Sequence, residues 1–123
     1  MMKTKFVSIF LLFVMSHFFN SLFALEKLSD GVVLKFEKVS QTDPRLIKIQ
    51  VCDENIFRVI ATPGNSFSER KSLMVAKSNW DNIPFTVDEK EGKVIIATSR
   101  GRVNVDKASG SLSFFRNDGT LLL

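Results

Sequence analysis

The stretch KVIIATSRGRVNVDKASGSLSFFR (residues 93–116) decides the fold. It holds three short runs, KVIIAT (93–98), RVNVD (102–106) and SLSFFR (111–116), separated by Ser99-Arg100-Gly101 and Lys107-Ala108-Ser109-Gly110. Branched and aromatic side chains suit a pleated, half-buried surface, and Gly and Ser between such runs mark turns. Val103 and Val105 flank Asn104, the period-two alternation of a strand with one face inward. Three consecutive strands with short turns read as an antiparallel meander. No residue pattern here supports a helix.

Working outward, the same grammar repeats. GVVLKFEKV (31–39) places Val32, Leu34, Phe36 and Lys38 on one face and Val33, Lys35, Glu37 and Val39 on the other. RLIKIQVC (45–52) aligns Ile47, Ile49 and Val51. NIFRVIAT (55–62) and FTVD (85–88) add two more runs. Gln41-Thr42-Asp43-Pro44, Asp53-Glu54-Asn55 and Lys90-Glu91-Gly92 supply the turns. Regularly spaced strands without intervening helices predict an all-β, antiparallel β-sandwich and exclude a parallel α/β sheet. The segment PGNSFSERKSLMVAKSNWDNIP (63–84) is the exception, longer than ordinary connections, with one further short strand possible at SLMVA.

The ends of the chain differ from this body. Lys3 and Lys5 precede the apolar run FVSIFLLFVMSHFFNSLFA, which closes on Ala24. A basic start, an apolar stretch and a small residue describe a secretory leader, so residues 1–24 are expected to be a signal peptide with a helical apolar core, and residues 25–123 a single domain. An uncleaved membrane anchor is the alternative. Ser16, His17, Asn20 and Ser21 interrupt the apolar run and weaken it. At the other end, Asn117-Asp118-Gly119 signals a turn, after which TLLL reads as the first residues of a further strand. The sandwich is therefore expected to be incomplete.

Composition excludes several functions. Loss of the leader removes both its lysines, lowering the formal charge from +4 to +2, and takes away His17, the one histidine. The remaining charges of both signs are interspersed, which gives no footprint for nucleic acid. Without histidine there is no Ser-His-Asp or Cys-His arrangement and little prospect of a zinc site; no metal or cofactor is implied. The glycines stand singly at turns, so no phosphate-cradling loop is present. Asp88, Glu89 and Glu91 lie together but flank Lys90 and Lys93 at a hairpin tip, and they read as a solvated turn, as do Asp53 and Glu54. Cys52, the only cysteine, cannot form an intrachain disulfide and reads as a small buried strand residue.

Trp80 is the residue that stands out for binding. With Asn79, Asp81 and Asn82 beside it, an exposed indole can stack on a sugar ring while the polar groups bond its hydroxyls. The competing reading has Trp80 folding back to cap the core.

The ordered combination of Arg58-Val59, Thr98, Val103 with Val105, Gly110 to Phe114, and Asp118-Gly119 leading into Leu121 to Leu123 resembles the N-terminal, galactose-mutarotase-like β-sandwich of glycoside hydrolase family 31. The resemblance spans about Leu28 to Leu123. It implies a parent α-glucosidase or α-xylosidase in which the sandwich precedes a (β/α)₈ barrel carrying two catalytic aspartates. Neither aspartate motif is in this chain, so no catalytic residue is carried over. The implied function is a non-catalytic, carbohydrate-supporting module, exported to the periplasm or secreted, whose partner is carbohydrate at the parent's pocket. Membrane contact is expected only through an uncleaved leader. A complete small exported sandwich that binds carbohydrate or a protein surface is the alternative, and a membrane-anchored structural protein is the third reading.

Overall fold

The computed structural model describes residues 23–37, 40–70 and 80–123. They form eight strands: β1 (Ala24–Leu28), β2 (Gly31–Lys35), β3 (Leu46–Asp53), β4 (Ile56–Thr62), β5 (Thr86–Lys90), β6 (Lys93–Ala97), β7 (Gly101–Asp106) and β8 (Leu112–Arg116). The first four make one antiparallel sheet in sequence order, and the last four make a second. The sandwich is two consecutive meanders, joined by the segment between β4 and β5.

The alternation read from the sequence sets the inner faces. Val32 and Leu34 on β2 stand opposite Ile49 and Ile47 on β3, and all four are buried. In the second sheet Val94 and Ile96 on β6 stand opposite Val105 and Val103 on β7, all fully out of solvent. These side chains of both sheets form one apolar cluster with Phe36 and Val51, and Phe57, Phe85, Leu112 and Phe114 pack at its border. Burying each large side chain is worth about 1.5–3 kcal/mol, so the two sheets hold one another. The core thins toward β4: Val59 shares the inner face with Ile49, yet is 36% exposed.

The strand boundaries differ from the sequence reading in instructive ways. β2 ends at Lys35 rather than running on to 39, although Phe36 remains buried and donates its N–H to the Arg45 carbonyl at 2.8 Å. Lys38 and Val39 lie outside the described residues, as do SLMVA and the leader through residue 22. Gly101 belongs to β7 rather than to the turn before it. β1 was not anticipated at all. Its five residues include Glu26 and Lys27, too polar to register as a strand alone, and pairing with β2 through the Ser29-Asp30 turn creates it. It opens at Ala24, the residue expected to end the leader, and the Phe23 ring meets Phe36 edge-on at 5.4 Å.

Turn chemistry is local and legible. Glu91 and Gly92 both take positive φ, 54° and 73°, the mirror-image two-residue turn whose twist matches a hairpin. Between β7 and β8 the Asp106 carboxylate accepts hydrogen bonds from the N–H groups of Ala108 and Ser109, which hold its pKa below the ordinary aspartate value. After β8, Arg116 N–H donates to the Thr120 carbonyl at 2.9 Å and Leu122 N–H to that of Phe114 at 2.7 Å. Thr120 to Leu123 thus run back along β8, as the Asn-Asp-Gly turn predicted.

Cys52 is the extra residue of a bulge in β3, where the register passes from Val51 opposite Phe57 to Asp53 opposite Ile56. It is 2% exposed and burial pushes its thiol pKa up. A thiol reagent should therefore modify the native chain at least about 100-fold more slowly than the chain in urea, because reaction requires local opening. Equal rates would show that β3 does not close over the sulfur.

Candidate functional site

One end of the sandwich gathers the turns. The backbone N–H of Val51 donates to the Asp30 carbonyl at 2.8 Å, tying the β1–β2 turn to β3. Across the sheets the Thr98 hydroxyl donates to the Glu54 carbonyl at 2.6 Å, and Arg100 pairs with Glu54 at 3.1 Å, so the β3–β4 and β6–β7 turns are joined. The segment from Trp80 to Phe85 lies between them on its way into β5. Ile83 and Phe85 pack against the core and fix this segment in place.

A recess of about 440 Å³ opens here, with Ser29, Asp30, Gln50, Trp80, Asp81 and Asn82 among its walls. Asp30 is held ready: its carboxylate accepts from Gln50 Nε2 at 2.8 Å, with Lys48 Nζ at 3.9 Å. Trp80 is half-buried, whereas Asp81 and Asn82 are exposed. Ile83 and Phe85 pack against this end of the core. Such a site offers an apolar wall, two carboxylate acceptors and two amides that can both donate and accept. This suits a neutral ligand rich in hydroxyl groups.

The structure thus brings Trp80 and Asp81 together at one recess; Asn79 lies outside the described residues. Sequence reading missed Asp30 and Gln50, twenty positions apart. The signal for them lay in register, since pairing Val32 with Ile49 sets Gly31 opposite Gln50 and so brings Gln50 beside Asp30. The carboxylates elsewhere do not converge. Asp88 and Glu89 are successive residues of β5 and point to opposite faces, and Glu89 pairs with Lys107. Asp53 accepts from the N–H of Glu54 at 2.7 Å within its own turn. Among the described residues no group of three or more His, Cys, Asp or Glu side chains could hold a metal ion, and no helix is long and apolar enough to cross a membrane.

Comparison with known proteins identifies the family of this sandwich. The family model of the glycosyl hydrolase 31 N-terminal galactose mutarotase-like domain matches residues 46–123, from β3 to the last residue. Among solved structures the chain is similar to the glycoside hydrolase family 31 α-xylosidase from Xanthomonas citri, with 28% identity and a TM-score of 0.67. That match covers 80% of this chain and 10% of the α-xylosidase, so the chain spans about a tenth of that enzyme's length. This chain belongs to the family of glycosyl hydrolase 31 N-terminal, galactose-mutarotase-like domains.

Proposed function

We propose that the chain serves as the non-catalytic sandwich module of an exported α-glycosidase of the glycosyl hydrolase 31 type, and that it contacts carbohydrate at the Trp80 recess. The observation that carries this reading is the family match over β3 to β8, together with a recess at the turn-bearing end that combines an indole with Asp30, Gln50 and Asp81. The α-xylosidase similarity supports an α-linked sugar as the ligand class. Export rests on the basic, apolar start of the chain and Ala24. In the parent enzyme the module would contribute binding contacts, while the reacting carboxylates belong to a catalytic domain outside the matched tenth.

Trp80 is the only tryptophan and the chain has no tyrosine, so its emission reports this recess alone. Titrating the full chain with xylose or glucose should shift Trp80 fluorescence with a millimolar Kd. Asp81→Ala should weaken binding roughly tenfold or more, the loss of one hydrogen bond to a charged group. Incubation with aryl α-xylosides or α-glucosides should release no sugar above buffer. An unchanged emission spectrum at 100 mM sugar, as about the limit of any useful affinity, would refute the binding role, and turnover abolished by Asp88→Asn would refute the non-catalytic one.

A further inference from the structure

The Trp80 recess does not stand alone. Next to it lies a second, about 380 Å³, with Lys27, Ser29, Asn82, Ile83, Pro84 and Phe85 in its walls. A third, about 330 Å³, follows, bounded by Glu54, Pro84, Phe85, Thr86, Thr98 and Ser99. Neighbouring recesses share walls: Ser29, Asn82 and Ile83 between the first and second, Pro84 and Phe85 between the second and third. They are strung along a single ridge, the segment from Trp80 to Phe85, which spans at most about 17 Å when extended. That ridge is anchored, because Ile83 and Phe85, both half-buried, pack against the core.

Each recess also carries its own polar groups beside apolar surface. Asp30 and Asp81 serve the first, Lys27 the second, with Asn82 shared between those two, and Thr98 and Ser99 the third. Aromatic rings stand at the two ends of the ridge, Trp80 at the start and Phe85 where the second recess meets the third. Lys27 Nζ sits 5.2 Å from the Phe85 ring centroid, which orders that side chain as a wall. The signs alternate along the track: acids at one end, a lysine in the middle, and Glu54 already paired with Arg100 at the other. A polyanion would meet Asp30 and Asp81, and a polycation would meet Lys27. A neutral chain with repeating hydroxyl-bearing units meets no opposing charge anywhere along it.

We infer that this end of the sandwich is an extended track for an oligosaccharide of about three sugar units, the Trp80 recess taking one unit and the recesses flanking Phe85 the next two. The inference rests on the reading that Trp80 contacts sugar, and adds that the ligand is a chain rather than a single ring. Several linked units binding adjacent recesses add their contacts with little extra loss of translational freedom, so affinity rises with chain length until the track is full.

The test is a length series read by Trp80 fluorescence on the full chain, with glucose, maltose, maltotriose and maltohexaose, and with isomaltose and isomaltotriose. The expected result is a Kd about tenfold or more tighter for a trisaccharide than for glucose, with no further gain at six units. Ser99→Phe, in the exposed β6–β7 turn, should block the third recess and remove the gain between di- and trisaccharide, while leaving Trp80 as the single indole emitter. If circular dichroism shows that variant misfolded, Thr86→Phe at the exposed start of β5 blocks the same recess. Equal Kd values for glucose and both trisaccharides overturn the extended track while leaving the single-sugar reading standing. No response to any of these sugars overturns both. A length gain that survives Ser99→Phe and Thr86→Phe overturns the placement of the track along the ridge.

Discussion

Replacing Gly31 by alanine is expected to destabilise the domain by about 3 kcal/mol or more, among the larger effects any single methyl group can have. Gly31 opens β2, and a Cβ built there would sit 2.0 Å from the Ile49 carbonyl oxygen and 3.0 Å from Gln50 Cα. The obstruction is backbone, so no side-chain rotation relieves it. To admit the methyl group, β2 must move off β3, weakening the pairing that buries Val32 and Leu34 and sets Asp30 beside Gln50. Two other glycines separate this cause from loss of glycine's flexibility. At Gly92 φ is 73° but nothing lies within 4 Å, so alanine there should cost only about 1–2 kcal/mol of left-handed strain. At Gly64 the nearest atom is 3.6 Å away and substitution should be close to neutral. Urea denaturation of the three variants should therefore order them Gly31, Gly92, Gly64. A Gly31→Ala variant as stable as Gly64→Ala would mean that β2 and β3 do not approach as described. Because the same register builds the Trp80 recess, Gly31→Ala should also weaken sugar binding.

Truncating Ile49 is the second large effect. Ile49 is fully buried in the middle of β3, between Ile47 and Val51, within the cluster shared with Val94, Ile96, Val103 and Val105 of the other sheet. Ile49→Ala removes three carbons and leaves a cavity, which costs about 2–5 kcal/mol. In a domain of this size each kcal/mol lowers Tm by about 4–8 °C. Ile96→Ala, on the opposite sheet, should cost a similar amount, whereas Ile56→Ala, 45% exposed on β4, should cost well under 1 kcal/mol. The thermal transition should stay single for both core variants, since among the described residues the two sheets bury their inner faces in one shared cluster. Two separated transitions in either variant would show that the sheets are independent units.

Much of the fold was written locally. Val103 and Val105 flanking Asn104, Ile47 and Ile49 flanking Lys48, and Val32 and Leu34 flanking Val33 fixed which residues turn inward, because a strand alternates its side chains whatever it pairs with. Glu91-Gly92 and Asn117-Asp118-Gly119 fixed two hairpins, because positive φ is a property of the residue and its neighbours. The order of these strands was also enough to carry the family resemblance, and Trp80 with Asp81 was enough to suggest a sugar contact. β1 could not be seen this way. ALEKL has no strong strand pattern of its own and becomes a strand only because β2 offers it a partner. Nor does any local signal place Asp30 and Gln50 at the recess with Trp80, or Phe85 and Ser99 further along the same ridge. Those residues are neighbours through strand register and the stacking of one sheet on the other. Alternation and turns are set by interactions within a few residues, which the sequence displays, whereas the recesses exist only where distant turns are brought to one end, which only packing decides.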